Sequence, residues 1–296
     1  MAKGQVRTRR ENIADSPERS QKLVMRRRGK PLAEPLEGMS ESQADRQYVV
    51  ALARGLEVLG AFRMKDGPLG NSDLAERTGI PTATVSRITH TLTRAGYLTF
   101  DQKRENYDLG PMALSLGFVA LRRLDLRETA RPLMQKLADE GNVNVGLGVR
   151  ERQSMLYIAT CEGPGLIGLR LVSGSRMPIG TSAMGRAYAA VLDDAARLAL
   201  YEDLRPSCGA DWPQILKGFE HARKEIAKRG FCTSIGAWQK EINGAATPLV
   251  LPEGRIYVMN LGGPAYQLTE KEIIEVQGPK LAATVAHLRS TILPEG

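Results

Sequence analysis

Apolar residues recur every three or four positions from Val49 to Phe62, directly after a stretch that has almost none. This spacing aligns them along one side of an α-helix of about four turns. The Asp-Gly-Pro sequence at residues 66–68 then ends the helix, because glycine and proline both disfavour its continuation. The first ordered domain is therefore predicted to begin with an amphipathic helix near residue 48.

Two further helices joined by a tight turn are predicted next. Asn-Ser-Asp at residues 71–73 supplies capping oxygens for a short helix that reaches Thr78. In the turn at residues 79–81, glycine provides the positive φ angle and isoleucine fills the core. Thr82 is predicted to cap a third helix, from about residue 83 to residue 95, which a glycine ends.

A charged hairpin follows the third helix. Two strand-like runs at residues 97–100 and 106–109 flank the charged residues 101–105. Helix, turn, helix and hairpin is the order of a winged helix-turn-helix, whose second helix enters a major groove while the hairpin reaches nearby phosphates. His90 is predicted to pack beside the inward face of the reading helix. The predicted DNA contacts are Thr82, Thr84, Ser86, Arg87, Thr91, Arg94, Lys103 and Arg104.

The remainder of the chain predicts a helical connector and an α/β domain. Two amphipathic helices span residues 111–141, and beyond them short apolar runs alternate with helices. Several connections are too short for crossover helices, so the sheet is predicted to be mixed or antiparallel. A Thr-x-x-Glu capping box opens a terminal helix over residues 269–292. The predicted strands are 143–149, 155–159, 166–172, 231–234, 245–250 and 256–261, and the other predicted helices are 185–192, 194–204 and 219–228.

Composition and charge agree with a two-domain globular protein. The 296 residues are 42% hydrophobic and 25% charged, and the net charge of +8 favours a polyanionic partner without identifying one. Residues 1–46 are rich in arginine and poor in aliphatic side chains, so we predict a disordered tail. This tail either improves solubility or adds phosphate contacts. The sequence predicts neither a transmembrane helix nor a signal peptide, and hence a cytoplasmic location.

The sequence contains no recognisable catalytic or metal-binding pattern. Cys161, Cys208 and Cys232 are widely spaced, which is typical of structural thiols in a reducing compartment. Nucleophile-elbow, phosphate-loop, zinc-protease and dinucleotide motifs are all missing. We therefore expect no enzyme activity, metal or cofactor. Two alternatives stay open, namely an effector-independent DNA-binding protein and a small-molecule-modifying enzyme built around Cys161 or Cys232.

Three stretches carry a resemblance to a known family. They are the run from Tyr48 to Leu59, the Leu-Ala-x-x-Thr-Gly-Ile-Pro sequence at residues 74–81, and residues 178–190. In these stretches the chain resembles the IclR family of bacterial transcriptional regulators, and the likeness extends to Ile292. The resemblance implies a winged helix domain joined by a helix to a GAF-like effector domain, which makes the fold class α+β. It also implies homodimers formed mainly through the DNA-binding domains, frequent pairing into homotetramers, and a palindromic promoter site in double-stranded DNA. The predicted boundaries are 1–46 for the tail, 47–110 for the DNA-binding domain, 111–127 for the linker helix and 128–293 for the effector domain.

The resemblance also implies a set of effector contacts. Residues 180–185 form a small-residue loop before a helix, where backbone N–H groups can bind a carboxylate. In relatives, the positions that match Ala183 and Met184 donate these hydrogen bonds. Further polar contacts are implied at Ser234, Gly244, Asn260 and Gly262, and apolar walls at Leu166, Leu169 and Met177.

Departures from the family pattern bear on the ligand. Some relatives carry an aspartate and a cysteine at the positions of Ser234 and Gly244, so this pocket has less negative charge and less bulk and can admit a larger or more anionic ligand. Trp238 either forms an aromatic wall, with Gln239 and Asn243 as polar partners, or packs on its own loop. A small organic acid, with an aromatic one included, is the expected effector.

Overall fold

The computed structural model describes residues 48–63, 66–122, 125–164 and 171–293. Contacts divide the chain between Leu114 and Ser115 into two compact units. Within the described ranges, no helix is both long and apolar enough to cross a membrane. The predicted tail at residues 1–46 lies outside the described residues.

The first unit has the predicted order of a winged helix-turn-helix. β1 and β2 pair as an antiparallel hairpin, and a short bridge from Leu69 to Tyr107 adds a third segment beside it. The turn residue Gly79 has a φ angle of 70°, as predicted, and Ile80 is buried. The elements are α1 (Val50–Gly60), α2 (Asn71–Thr78), α3 (Thr82–Arg94), β1 (Leu98–Asp101) and β2 (Asn106–Leu109).

The apolar stripe of α1 is only partly buried: Leu59 and Phe62 pack against the core, whereas Leu52 and Leu56 are 62% and 55% exposed. Two local predictions in this unit were wrong. The α3 helix begins at Thr82 itself, with Pro81 before it and no side-chain cap. The α2 helix begins three residues early, and Asp73 accepts a hydrogen bond from the N–H of the residue before the helix, at 2.9 Å. The residues that form the core are Val58, Ala61, Leu69, Leu74, Ile80, Val85, Leu98 and Tyr107.

Two helices follow the wing, as predicted for the connector. They are α4 (Pro111–Arg122) and α5 (Asp125–Gly141), and α5 contains Pro132. The α4 helix has no pronounced buried side among its described side chains. Its large exposed apolar residues are Met112, Leu114, Leu116, Phe118 and Val119.

The second unit is built on one antiparallel sheet. Its strand order is β5-β4-β3-β8-β7-β6, and each neighbouring pair is antiparallel. The sheet is therefore antiparallel rather than mixed. Most of the strand predicted at 166–172 lies outside the described residues, whereas the three-residue strand β5 was not predicted. The strands are β3 (Asn144–Glu151), β4 (Ser154–Glu162), β5 (Arg176–Pro178), β6 (Cys232–Ile235), β7 (Ile242–Val250) and β8 (Ile256–Pro264).

Helices cover both faces of this sheet. One core joins the sheet to α5 and α10, and a second core joins it to α6, α7 and α8. Side chains alternate between the two faces along a strand, and accordingly Ala245 belongs to the first core and Ala246 to the second. Thr269 caps the terminal helical segment by accepting a hydrogen bond from the Glu272 N–H at 3.2 Å. The helices are α6 (Ala183–Ala190), α7 (Asp194–Cys208), α8 (Trp212–Arg229), α9 (Glu270–Glu272) and α10 (Gly278–Ile292), with a 3-10 turn at Gly209–Asp211 and a π-helical turn at Ile273–Gln277.

Candidate functional site

The α3 helix presents a polar surface to solvent. Ser86, Arg87, His90 and Thr91 line one shallow depression on this surface. Of the predicted DNA contacts, only Thr84 is half-buried. The exposed members of the predicted set are Thr82, Ser86, Arg87, Thr91, Arg94, Lys103 and Arg104.

Buried contacts set the rotation of α3. Val85 and Thr89 are fully buried, and the Thr89 hydroxyl donates to Asn71 Oδ1 on α2 at 3.0 Å. The prediction that His90 packs inward was wrong, because its side chain is exposed. Successive helical residues differ by about 100°, so His90 lies about 140° from Val85, close to Arg87 on the outer side.

The wing is closed by a side chain of the hairpin itself. Asp101 Oδ1 accepts hydrogen bonds from the N–H groups of Lys103 and Arg104, at 2.8 and 3.3 Å. This leaves both basic side chains at the exposed tip. A further arginine, Arg77, is instead paired with Asp66, and this ion pair lowers the pKa of the Asp66 carboxyl.

Four of the predicted effector residues lie in two adjacent rows on one face of the sheet of the second unit. Cross-strand pairing aligns Ser234, Gly244, Gly262 and Asn144 in one row. The next row contains Asn260. Its neighbours in that row are Cys232, Ala246, Gly146 and Thr160. Strand pairing therefore brings together residues from five strands.

The loop before α6 is fastened to this face by hydrogen bonds. The Ser182 hydroxyl donates to the Pro178 carbonyl at 2.6 Å and accepts from the Gly185 N–H at 3.1 Å. Ser234 Oγ donates to the Thr181 carbonyl at 2.7 Å. The Ser234 hydroxyl proton is therefore already used to hold the loop, which leaves only the lone pairs of this oxygen for a ligand.

Buried charges connect α6 to α8 through β6. Glu225 is 8% exposed and accepts from the Thr233 N–H at 2.8 Å and from its hydroxyl at 3.0 Å. It also pairs with Arg229. Arg186 donates to the Thr233 carbonyl at 3.3 Å, and burial lowers the pKa of its guanidinium. The sequence reasoning missed this network, because isolated charges on amphipathic helices do not indicate burial.

A narrow gap with no room for a water molecule lies on the same face. A Cβ atom at Gly146 would lie only 2.1 Å from Tyr157 Cε1 and 2.8 Å from Asn260 Oδ1. The missing side chain at Gly146 therefore makes room for both groups. The sequence reasoning missed Tyr157 here, and its one available signal was the presence of two glycines in a buried strand. The lining residues are Asn144, Val145, Gly146, Tyr157, Thr160, Leu171 and Asn260.

The other predicted effector residues have varied surroundings. Met177, Ala183 and Met184 are buried in the core that α6 shares with the sheet. Trp238 is half-buried against that core, whereas Gln239 is exposed. The predicted ligands Leu166 and Leu169 lie outside the described residues.

Asn243 was predicted as a polar partner of the ligand, but both ends of its amide are already engaged. Its Nδ2 donates to the Leu268 carbonyl at 2.9 Å. Its Oδ1 accepts from the Gly236 N–H at 3.0 Å. Asn243 therefore shapes the loop between β6 and β7.

The buried cysteines lack the surroundings of reactive thiols. Cys161 and Cys232 are 3% and 0% exposed, and burial raises the pKa of both thiols. Cys232 Sγ lies 3.5 Å from the Ala183 carbonyl. A raised pKa disfavours the nucleophilic thiolate, so the environment of neither thiol favours catalysis. Among the residues that the structure describes, no group of three His, Cys, Asp or Glu side chains could hold a metal ion.

Comparisons with known proteins agree with this architecture. Residues 51–102 match the IclR helix-turn-helix domain, and residues 118–289 match the bacterial transcriptional regulator IclR C-terminal domain. The chain is 32% identical over 246 residues to the HTH-type transcriptional regulator TsaQ1/TsaQ2 of Comamonas testosteroni, with 82% of this chain and 88% of that protein covered. It is also 32% identical over 248 residues to the Pca regulon regulatory protein of Pseudomonas putida, with coverage of 82% and 84%.

A solved structure shows the same fold. It is that of an IclR family transcriptional regulator from Brucella abortus, with 40% identity, a TM-score of 0.77, and coverage of 90% of this chain and 100% of that one. Both domains, in the same order, are thus shared with proteins named as regulators. The chain belongs to the IclR family of bacterial transcriptional regulators.

Proposed function

We propose that the polar side of α3 reads an operator in the major groove while the wing tip contacts phosphate. The observation that carries this proposal is the exposure of Arg87, His90 and Arg94 on one helical face whose opposite side is buried. Lys103 and Arg104 add positive charge at the wing. Contacts to base edges give sequence specificity, whereas contacts to phosphate mainly give affinity. Thr82, Thr84, Ser86 and Thr91 complete the proposed DNA-contacting set.

DNA binding is tested with the segment upstream of the gene that encodes this protein. At modest ionic strength, wild type is expected to protect a palindromic site in footprinting and to bind an unrelated duplex at least tenfold more weakly. Arg87→Ala is expected to reduce operator affinity by about 1–3 kcal/mol if the side chain reads a base. Lys217→Ala, on an exposed face of α8, is the control. Equal affinity for both duplexes would refute the proposed reading function.

We further propose that the second unit binds a small organic acid, with an aromatic acid included. The first-turn N–H groups of α6, at Ala183 and Met184, are not needed by that helix's own hydrogen-bond ladder and so can bind a carboxylate. Trp238 and Met177 would provide apolar walls. The proposed polar contacts are Ser234, Gly244, Asn260 and Gly262, and the domain boundaries proposed for this arrangement are 47–110, 111–127 and 128–293.

Exposed apolar helices support a homodimer. Val50, Leu52 and Leu56 on α1, and Val49 directly before it, are between 53% and 62% exposed. An apolar surface of this kind on a soluble domain commonly marks an interface. We propose that a second copy of the chain covers it, with homotetramers formed by pairs of dimers, and sedimentation of Leu52→Lys would test this.

Regulation is proposed to follow from linkage between the two binding events. A ligand that binds one arrangement of the oligomer better than another shifts their populations, and the connector helices would then change the spacing of the two reading helices. A coupling of about 1–3 kcal/mol changes operator affinity roughly 5- to 150-fold. A thermal-shift screen of organic acids is the first assay, because a ligand at about 100 times its Kd stabilises the protein by about 2.7 kcal/mol. Saturating ligand with unchanged operator affinity would refute this coupling.

A further inference from the structure

His90 lies on the outer side of α3, where its side chain is exposed. With the buried Val85 as reference, a rotation of about 100° per residue places His90 at about 140°. Arg94 and Arg87 follow at about 180° and about 200°. The three side chains therefore share one sector of the helix, about 60° wide, on the side away from the buried Val85 and Thr89.

The depression on α3 is lined mainly by hydrogen-bond donors. Its lining residues are Ser86, Arg87, His90 and Thr91. The Thr91 hydroxyl already donates to the Arg87 carbonyl at 2.9 Å, which leaves only its lone pairs for a partner. The side chains of Arg87 and His90 form no hydrogen bond or ion pair with any described residue, and α3 itself contains no acidic residue. A guanidinium carries five N–H donors and an imidazole carries at least one.

Guanine is the base whose edge complements this set of donors. In the major groove it presents two acceptors, N7 and O6, whereas adenine presents one acceptor and one donor. An arginine can bind both guanine acceptors at once. Arg87 and His90 are three residues apart, which is about 4.5 Å along the helix axis, and successive base pairs are about 3.4 Å apart. The two side chains can therefore reach neighbouring base pairs.

We propose that His90 is a specificity-determining residue whose ring donates a hydrogen bond to a guanine in each operator half-site, beside the guanine that Arg87 binds. The inference rests on the proposed function, because it assumes that the polar side of α3 enters a major groove. Ser86, Arg87 and His90 are separated by one and three residues, and the reading helices of homeodomains contact bases from residues with the same separation.

The test measures affinity of the full chain for its footprinted operator by fluorescence anisotropy. In each variant duplex, one G·C pair is replaced by A·T in both half-sites. Wild type is expected to lose about tenfold or more in affinity at two separate pairs. His90→Ala should bind the natural operator and one of these variant duplexes within twofold of each other, and Arg87→Ala should do the same with the other. Neither pair should affect binding of an unrelated duplex.

A glutamine at this position gives a second measurement. Glutamine binds N6 and N7 of adenine together, so His90→Gln is expected to favour adenine at the pair to which His90→Ala is indifferent. A residue that only supports the fold would not change the preferred base. If His90→Gln keeps the wild-type preference for guanine at every pair, the inference is overturned.

Two controls separate base contact from damage to the fold. His287→Ala is the matched control, because His287 is also exposed but lies on α10 of the second unit. It should keep the wild-type affinity for every duplex. Because the His90 side chain is exposed, His90→Ala is expected to melt at the wild-type temperature. A clearly lower melting temperature would show that the ring packs against the fold, which would overturn the inference.

The binding data also separate the inference from the function on which it rests. Equal weakening of all duplexes by His90→Ala would indicate a phosphate contact, and unchanged affinities would indicate no contact with DNA. Either result overturns the inference, while the proposed function stands as long as Arg87→Ala still weakens operator binding. If wild type does not distinguish the operator from an unrelated duplex, the proposed reading function fails and the inference fails with it.

Discussion

Replacement of Glu225 by alanine tests how the second unit is held together. The carboxylate accepts two hydrogen bonds from Thr233 and pairs with Arg229, at only 8% exposure. The substitution leaves the buried Thr233 N–H without this acceptor. It also removes the only carboxylate with which Arg229 forms an ion pair in the described part of the chain.

The expected loss follows from burial of the pair. Removing one partner of a buried ion pair costs about 3–5 kcal/mol, because the other charge is left unpaired. The Arg229 side chain retains 25% exposure, so water partly solvates its charge once Glu225 is removed. The lower end of this range, about 3 kcal/mol, therefore applies. For a domain of this size, 1 kcal/mol changes Tm by about 2–4 °C. The second unit should therefore melt about 6–12 °C lower.

Calorimetry of the full chain measures this change, with Glu220→Ala as the control. Glu220 lies on the same helix but is exposed, so its replacement should change stability by no more than about 0.5 kcal/mol. Glu225→Gln keeps one amide oxygen as an acceptor, so its melting temperature should lie between those of the two alanine variants. If Glu225→Ala and Glu220→Ala melt within about 2 °C of each other, the buried network contributes little and the estimate is wrong.

Three further outcomes follow from the structure. The ion pair with Arg77 lowers the folded-state pKa of Asp66 below about 3.8. The contribution of this pair to folding stability is therefore present above about pH 3.8 and is lost as the pH falls through the lowered pKa. Asp66→Asn should flatten the dependence of Tm on pH below about 4. Replacing Lys103 and Arg104 with alanine should weaken binding to all duplexes and reduce the slope of log affinity against log salt by about 1 for each lost phosphate contact, and an unchanged slope would exclude contact with phosphate. Gly185→Ala should lower Tm, because a Cβ at this position would lie 2.3 Å from backbone atoms of the loop before α6. A soluble variant that melts at the wild-type temperature would instead show that this loop moves freely.

The exposed polar side of α3 could be predicted because its signals are local. The Gly79 turn and the 3.6-residue period placed Arg87 and Arg94 on the exposed side without reference to any distant residue. The same reasoning failed for His90 and did not reveal that Leu52 and Leu56 of α1 are exposed, because it could not tell which side of a helix meets the core. The sequence pattern of an apolar stripe is the same whether the helix packs inside one chain or against a second copy.

The face of the sheet that α6 covers divides differently between sequence and structure. The family resemblance indicated Ala183, Met184 and Asn260, but neither Tyr157 nor the use of Ser234 to hold the loop could be read from it. Tyr157 lies over Gly146 because β3 and β4 pair with a register shift at Leu147 and Gly148. Pairing between distant strands has no marker in a single segment of sequence.

The sequence by itself determined the order of the elements, the positions of the caps and turns to within a few residues, and the family, because these depend on neighbouring residues and on motifs. The tertiary structure alone decided which polar groups are buried together, such as Glu225 with Thr233 and Tyr157 with Asn260. Burial is a property of contacts between residues far apart in the chain. A polar group loses its water only once those contacts form, and this desolvation is what makes its burial energetically important.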